Sequence, residues 1–304
     1  MKNSKDNKER INKVVRYIEQ SLDKDLLLEE LAALACFSPF HFQRIFKEII
    51  GETPKQFIKR LRLEDAAHMI VLYPEKSILE VALKVGFQSL EAFSRAFKDY
   101  YLLSPDNFRK SDEKEKVKII QKPILQGVIF NEPSSFLGKS MDISEFEDLE
   151  INVVKRPVQK FIYLQTSLEN PQHISESYKK VKTWALAREL VKPDALLFGV
   201  IKDFPLFTSL DKCRYLTCIS VESQPVVSGM VNYQELPSKT YATFELEGGM
   251  AEIIRAATYC VHFWLPNNGF KIVHQPVIEV PLKDPLTTPF NNNIYRIFIQ
   301  IEPE

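Results

Sequence analysis

A segment of about twenty residues occurs twice in this chain, and this internal repeat restricts the fold more than any other feature of the sequence. Ser38 to Phe57 matches Ser89 to Phe108 at a constant offset when Arg44 is aligned with Arg95. Both copies contain a serine, phenylalanines at helical spacing and an Arg-x-Phe-Lys sequence. Two copies are too few for a solenoid, so we interpret the segment as one supersecondary unit that is used twice.

Each copy predicts a helix-turn-helix. Ser38 is a good N-cap, and Pro39 suits the first helical position. A buried stripe at i, i+3, i+4 and i+7 follows in both copies: Phe42, Ile45, Phe46 and Ile49, then Phe93, Ala96, Phe97 and Tyr100. A shorter apolar helix precedes each copy, Leu27 to Ala35 and Ile78 to Val85, and Gly86 supplies the second turn. Such a unit can place a polar helix face in a DNA major groove.

The second copy has the most specific pattern. It reads Gly86-Phe87-x-Ser89-x-x-x-Phe93-x-Arg95-x-Phe97-Lys98 and closes with Ser104-Pro105-x-x-Phe108-Arg109. This pattern resembles the signature of the AraC/XylS family of bacterial transcription regulators. The resemblance covers roughly residues 9 to 110, including a leading helix from about Glu9 to Ser21 and a linking helix from Pro54 to about Leu72. It implies that two recognition helices enter successive major grooves, about 34 Å apart, on one face of the DNA.

The resemblance also implies which side chains would contact DNA. Base edges would be read by Phe40, Gln43 and Arg44 in the first copy, and by Leu90, Glu91, Ala92 and Arg95 in the second. Phosphates would be contacted by Lys47, Ser89 and Lys98. Leu90 and Ala92 offer only apolar contact, for instance to a thymine methyl group. A single Gln/Arg/Lys face is usually just solvated, but two copies in register favour DNA contact.

Length and charge are consistent with a multidomain protein. A chain of 304 residues predicts two or three domains, and its 45% apolar and 26% charged residues are ordinary for globular proteins. Residues 1–110 have 19 Lys and Arg against 16 Asp and Glu, whereas the whole chain has 40 of each kind. A mildly basic first part and a mildly acidic second part fit a DNA-binding domain joined to a different domain.

Several classes of protein are not indicated by the sequence. There is no apolar run of about 18 residues that would predict a membrane span. Met1 to Arg10 is polar and does not resemble a signal peptide. The four cysteines (Cys36, Cys213, Cys218 and Cys260) lack metal-binding spacing and are expected to be reduced and structural, with Cys36 in the core. We therefore expect a cytoplasmic protein without a cofactor or a metal.

The character of the chain changes after Arg109. Residues 111–149 are interpreted as a connecting region with one short hairpin, beginning in the charge run Lys110 to Lys118. Two successive βαββ units are then predicted. The first comprises strands Ile151–Val154 and Phe161–Leu164, helix Ile174–Leu190, and strands Leu196–Ile201 and Tyr215–Val221. The second comprises a strand Tyr233–Leu246 bent at Pro237, helix Met250–Trp264, and strands Lys271–Leu282 and Ile294–Ile301. The prediction is an all-α tandem helix-turn-helix domain over residues 1–110 followed by an α+β domain over 150–304.

The second domain resembles GyrI-like effector-binding domains in several short sequences. They are Lys212-Cys213-Arg214-Tyr215, Tyr233-x-x-Leu236-Pro237-x-x-x-Tyr241-Ala242, Trp264-Leu265-Pro266-Asn267-Asn268-Gly269-Phe270, and Pro276-x-x-Glu279 followed by Asp284-Pro285. The resemblance implies a pocket for amphipathic, often cationic aromatic compounds, with Glu279 at the position of the family's glutamate and Trp264 at that of its tryptophan. Tyr163, Tyr233 and Tyr259 are further candidates for the pocket lining.

The chemistry of Glu279 suits this interpretation. A carboxylate among apolar residues is costly to bury without a partner, and a ligand cation would supply one. Aromatic faces would add cation–π attraction. The alternative is that Glu279 alternates with Ile278 and Val280 and points to water from a half-buried strand. Trp264 is equally compatible with a plain core position.

These observations predict a transcription regulator and not an enzyme. It would bind double-stranded promoter DNA, and its second domain would sense a small amphipathic effector or a protein partner such as RNA polymerase. Two alternatives remain. One is a small-molecule hydrolase in which Glu279 and a nearby tyrosine act as general base and acid. The other is a constitutive DNA binder with a protein-interaction domain. The five histidines are scattered, and no Ser/His/Asp or Cys/His constellation stands out.

Overall fold

The computed structural model describes residues 2–111, 144–168, 171–192, 194–203, 208, 211–273 and 277–303, without the side chains of residues 2–5, 72, 171 and 262. The described residues form two compact units, one within Met1–Ile119 and the other within Ile120–Glu304. The predicted connecting region over 111–149, with its hairpin, lies largely outside the described residues. In the part of the chain that is described, no helix is both long enough and apolar enough to cross a membrane.

The first unit consists of helices, most of which begin at well-formed caps. They are α1 Lys2–Glu19, α2 Leu28–Leu34, α3 Pro39–Ile50, α4 Pro54–Leu72, α5 Ile78–Lys84, α6 Leu90–Tyr101 and α7 Pro105–Lys110. Five of them start at a serine or threonine whose hydroxyl accepts a backbone N–H three residues further on: Ser38, Thr53, Ser77, Ser89 and Ser104. These caps satisfy amides that a helix leaves unpaired at its start, which is why the helix boundaries are visible in the sequence.

The sequence repeat is also a repeat of aromatic packing. In the first copy Phe46 contacts Phe42 and Phe57, each at 5.5 Å between ring centroids. In the second copy Phe97 makes the equivalent contacts with Phe93 at 5.4 Å and Phe108 at 5.3 Å. All six rings are buried, so each recognition helix is attached to its own small aromatic core.

The turns of the two copies differ in length and in residue type. After α2 the left-handed position is taken by Cys36 (φ 56°), and after α5 it is taken by Gly86 (φ 86°). The capping serines follow two and three residues later, so the second turn has one residue more. The prediction that Cys36 belongs to the core was wrong, because the turn holds this residue in the left-handed conformation with its side chain exposed.

The buried stripe of α6 also differs from the prediction at its last position. Tyr101 is buried, whereas Tyr100 is 37% exposed. Tyr101 takes the buried position because α7 packs at this end of the helix, where Phe97 and Phe108 lie 4.7 and 5.0 Å from its ring. The prediction of Tyr100 as a core residue was therefore wrong.

The second unit is an antiparallel sheet with two main helices among the described residues. Its strands are β1 Asn152–Arg156, β2 Gln159–Ser167, β3 Leu197–Ile201, β4 Arg214–Ser220, β5 Asn232–Leu236, β6 Lys239–Gly248, β7 Phe270–Ile272, β8 Val277–Pro281 and β9 Asn293–Pro303. Its two main helices are α8 Pro171–Leu186 and α9 Met250–Tyr259, and a single helical turn, Leu265–Asn267, follows α9. The strand order is β1-β6-β9-β8-β3-β4-β2-β5, with β7 paired to β9. Among the described residues, α8 packs on β2 and β4, and α9 packs on β6.

The sheet is built from two halves, β1, β2, α8, β3 and β4, and then β5, β6, α9, β8 and β9, so that each half has the order ββαββ. The two halves form one continuous sheet whose strand order is symmetric about its centre. The first strand of each half pairs with the second strand of the other half: β1 pairs with β6, and β5 pairs with β2. The two halves of the sheet join at the centre, where β3 pairs with β8. Gly199 and Glu279, the middle residues of these two strands, lie directly opposite each other. The sheet topology thus places Glu279 at the centre of the domain.

Three predicted elements of this unit are less regular in the structure than the sequence indicated. Tyr233–Leu246 is two strands, β5 at one edge of the sheet and β6 near the other, because the chain breaks at Pro237 and crosses over. The predicted strand Lys271–Leu282 is divided into β7 and β8. The predicted helix Met250–Trp264 widens into a π-helical segment over Cys260–Trp264, where the Leu265 N–H reaches the Cys260 carbonyl. Pro266 follows at once, and the wider turn avoids the clash of a proline ring with a preceding carbonyl.

Candidate functional sites

The first candidate surface is the outer face of α3. Ser38 caps the helix by accepting the His41 N–H at 3.4 Å, and the apolar stripe turns inward. The side chains predicted to contact DNA all point outward: Phe40, Gln43, Arg44 and Lys47 are exposed. Phe40 is 83% exposed, which is unusual for a phenylalanine in a folded domain and is consistent with a contact surface.

The outer face of α6 is formed in the same way. The Ser89 hydroxyl accepts the Ala92 N–H at 3.2 Å, so this residue is a helix cap and is only partly exposed. The remaining predicted contacts are exposed on the helix: Leu90, Glu91, Ala92, Arg95 and Lys98. The structure therefore brings the predicted residues of each copy onto one accessible helix face.

His41 is a further residue of the α3 face that the sequence interpretation did not include. Nη2 of Arg44 lies 3.3 Å from Nδ1 of His41. The His41 ring in turn contacts Phe37 edge-on, with 4.9 Å between centroids. The spacing i, i+3 on a helix is the sequence signal that could have identified this pair. His41 thus restricts the orientation of the Arg44 guanidinium.

The second candidate site is the Glu279 carboxyl, which has no exposed surface. The alternative that Glu279 points to water is therefore wrong. The Tyr215 hydroxyl donates a hydrogen bond to its Oε1, whereas Oε2 is buried without a hydrogen-bond partner among the described residues. Burial raises the pKa of Glu279 to about 8, and the hydrogen bond from Tyr215 only partly opposes this effect. At neutral pH the carboxyl is therefore mostly protonated.

Gly199 makes the contact between Tyr215 and Glu279 sterically feasible. A Cβ atom on Gly199 would collide with the Tyr215 hydroxyl and would lie 2.8 Å from Cγ of Glu279. Strand β3 lies between β4, which carries Tyr215, and β8, which carries Glu279. The phenol and the carboxyl can meet across β3 only because β3 has glycine at this position.

Aromatic rings surround the carboxyl on the face of the sheet that α8 covers. The Tyr178 hydroxyl, on α8, lies 3.0 Å from that of Tyr215. The three groups Tyr178, Tyr215 and Glu279 thus form a continuous hydrogen-bonded chain. Phe290 packs edge-on against Tyr215 at 6.2 Å and lies 5.2 Å from Tyr295. Burial, with the nearby Glu279 charge, raises the pKa of Tyr178 and Tyr215 well above their ordinary value, which keeps both phenols neutral.

The other ligand-site candidates from the sequence do not join this cluster. Tyr163 lies on the opposite face of the sheet, in an apolar cluster with Phe161 and Phe198. Tyr233 is on the edge strand β5, four strands from β8, a separation of about 19 Å at ordinary strand spacing. Trp264 stacks on Phe270, and Tyr259 stacks on Phe263, so the described ring contacts of both lie outside the Glu279 cluster.

Comparison with known proteins matches each unit to a separate family. Residues 31–111 match the family described as a helix-turn-helix domain, and residues 149–302 match the GyrI-like small molecule binding domain. The chain is 41% identical over 102 residues to an uncharacterized HTH-type transcriptional regulator of Haemophilus influenzae, covering 34% of this chain and 34% of that protein. It is 35% identical over 103 residues to the transcriptional regulator Rob of Salmonella typhimurium, covering 34% and 35%. The match thus spans about a third of the length of these relatives.

A solved structure is also similar to part of this chain. The C-terminal domain of EcmrR is 14% identical, with a TM-score of 0.40, over 52% of this chain and 99% of that domain. The two matched regions define the class of the protein: an AraC-type helix-turn-helix domain joined to a small-molecule binding domain. Since the second match covers half of the chain, the protein belongs to the GyrI-like family.

Proposed function

We propose that this protein is a cytoplasmic transcription regulator that reads a promoter with α3 and α6 and senses a small amphipathic cation at Glu279. The DNA-binding part of the proposal is supported by the two capped helices, whose outer faces expose equivalent sets of side chains. Arg44 and Arg95 occupy the same place in the two copies and would each recognise a base edge, most favourably guanine. Lys47 and Lys98 would contact phosphates.

The DNA-binding proposal is tested by selecting a binding site from random duplex DNA with the full chain. Arg95→Ala is expected to weaken binding to the selected site by about 1–3 kcal/mol and to relax the preference at the base it reads. Lys98→Ala, one turn away on the same face, is the matched control. It should weaken all sequences alike and lower the salt slope by about one. Equal effects of both variants on every sequence in a gel-shift titration would contradict the proposed roles.

The sensing part of the proposal rests on one observation, the buried Glu279 carboxyl, which has aromatic rings around it and one oxygen without a hydrogen-bond partner among the described residues. A desolvated carboxylate pairs strongly with a desolvated cation, and the rings add cation–π attraction. Because Glu279 has no exposed surface, a ligand must displace part of its cover, and α8 with Tyr178 provides that cover. A cation must also replace the proton of the carboxyl, so binding should release a proton below pH 8.

A thermal-shift screen of lipophilic cations, steroids and bile acids tests this part, because a ligand of the native state raises the apparent Tm by mass action. Cations are expected to be hits, and their affinity should rise with pH up to about 8. Glu279→Gln should abolish the hits with cations and the pH dependence, and should spare neutral compounds of the same shape. Turnover of an ester or amide would favour the hydrolase alternative. A complete lack of hits would favour the constitutive DNA binder.

A further inference from the structure

The two helix-turn-helix units are connected through side chains of α4, which lies between them in sequence. Arg60 of α4 is buried at 5% exposure. Its Nε and Nη2 donate to Oε1 of Glu52 at 2.9 and 2.6 Å. Glu52 directly follows Gly51, the residue that ends α3. Arg60 therefore holds the C-terminal end of the first recognition helix.

The same guanidinium reaches toward the second recognition helix. Nη1 of Arg60 lies 3.1 Å from Oε2 of Glu64, one turn further along α4. The Tyr100 hydroxyl, in the last turn of α6, donates to Oε1 of Glu64 at 2.7 Å. Burial and the Glu64 charge raise the pKa of Tyr100 well above its ordinary value, so its hydroxyl stays a donor. Four residues thus form a relay between the ends of α3 and α6: Glu52, Arg60, Glu64 and Tyr100.

The relay is better suited to fixing geometry than to adding stability. Desolvation of buried ions largely offsets their attraction, so a buried ion pair is weak evidence of stabilisation. Removing one member, however, leaves a buried charge with an incomplete shell, so arrangements that break the relay are strongly disfavoured. A network of this kind selects one relative position of the elements that it joins.

A second set of contacts joins the two helix-turn-helices at the turn that precedes α6. Arg62 donates from Nε to the Leu22 carbonyl at 2.9 Å and from Nη2 to the Lys24 carbonyl at 2.6 Å. Gly86, in the turn of the second helix-turn-helix, packs so closely here that a Cβ atom would lie 2.5 Å from the Leu22 oxygen and 2.8 Å from Cζ of Arg62. The second helix-turn-helix therefore cannot shift toward the first at this turn, and the relay restrains it at the far end of α6.

We propose that the Glu52–Arg60–Glu64–Tyr100 relay positions α3 and α6 relative to each other and thereby determines which spacing between the two groups of read bases the protein accepts. This inference rests on the proposed DNA-binding function. One added base pair moves the second group by about 3.4 Å and rotates it by about 34° around the DNA axis. Rigidly held helices cannot follow this displacement, whereas loosely held helices can.

The test uses the full chain and a site selected from random DNA, rebuilt with one base pair added or removed between the two groups. Wild-type protein is expected to lose at least about tenfold in affinity on the altered sites, the size of a mismatch penalty. Tyr100→Phe removes one hydroxyl from the relay, and this penalty should fall to about threefold or less, with little change on the original site. Glu64→Gln should act in the same direction.

Tyr17→Phe is the matched control, because it removes a phenol hydroxyl from an exposed residue of α1. It should leave the penalty at the wild-type value. If the relay had a purely structural role, the variants would have a lower Tm and would bind all sites more weakly by the same factor. The ratio of the affinity for the original site to the affinity for the altered sites would then stay unchanged. An unchanged ratio in both Tyr100→Phe and Glu64→Gln would overturn this inference alone. If the wild type enriches no sequence at all, the proposed function and this inference both fail.

Discussion

The protonation of Glu279 links the stability of the second unit to pH. In the unfolded chain the carboxyl has a pKa of 4.5, and in the folded chain burial raises it to about 8. Between these values the folded protein holds a proton that the unfolded chain has lost, so the free energy of unfolding falls as the pH rises. Glu279→Gln removes this pH dependence, because glutamine does not titrate. The free energy of unfolding of the variant minus that of wild type should therefore increase between pH 5 and pH 8.5, by on the order of 3 kcal/mol.

Urea titrations followed by tryptophan fluorescence measure this effect. Both tryptophans of the chain, Trp184 and Trp264, belong to the second unit, so the signal reports that unit. The buried tyrosines beside the carboxyl stay neutral over this range and do not add to the pH dependence. Glu245→Gln, at an exposed carboxylate paired with Arg296, is the control and should run parallel to wild type. If the Glu279→Gln curve also ran parallel, the carboxyl would be ionised in the folded state and the raised pKa would be wrong.

For individual residues of the Glu279 site, the sequence identified the central residue but not its neighbours. Glu279 was found through a family resemblance. Tyr215 and Tyr178 were missed as its partners, and Tyr163 was assigned to the same pocket although it lies on the other face of the sheet. The physical reason is that β2, β3 and β4 are buried on both faces, so apolar residues run without alternation and the pattern does not show which face a side chain occupies.

The helix-turn-helix copies need a left-handed residue at two places, after the first helix and after the recognition helix. The first copy has Cys36 (φ 56°) and Gly51 (φ 90°), and the second has Gly86 (φ 86°) and Leu102 (φ 61°). Each copy therefore has glycine at only one of its two places. A side chain with a Cβ atom is strained by about 1–2 kcal/mol in this conformation, and glycine is not.

Cys36→Gly and Leu102→Gly should therefore each stabilise the first unit by about 0.5–1 kcal/mol, after allowance for the greater freedom of glycine in the unfolded chain. Both side chains are exposed, so little packing is lost. Thermal unfolding followed by helical circular dichroism measures the change. Glu48→Gly, in the exposed interior of α3, is the control and should cost about 1 kcal/mol. Destabilisation by Cys36→Gly equal to that of the control would show that the turn is not strained.

Helices of this protein were more predictable than its strands. The bounds of α4 agree with the sequence prediction because they are set locally, by a Thr53 cap and a proline at the first position. Strands β5 and β6 follow each other with only a proline and a serine between them, yet they belong to different places in the sheet. Their separation depends on which distant strand each one pairs with, and local sequence does not contain that information.

On the scale of the whole chain, the two families found in the two units raise the question of how they communicate. If an effector changes the affinity for DNA by some factor, DNA must change the affinity for the effector by the same factor, because both follow from one thermodynamic cycle. Couplings of this kind usually amount to about 5–150-fold. The proposed sensor therefore makes a stricter prediction than ligand binding alone.

A cation identified in the thermal-shift screen should change the affinity for the selected DNA at least about fivefold, and saturating DNA should change the calorimetric Kd of that cation by the same factor. Glu279→Gln should bind the DNA as wild type does without ligand, since the residue lies in the unit that does not contain α3 and α6. It should show neither of the two shifts. A cation that binds at Glu279 while both factors equal one would mean that the second unit binds a ligand without regulating DNA binding, and its effect on transcription would then have to act through a protein partner.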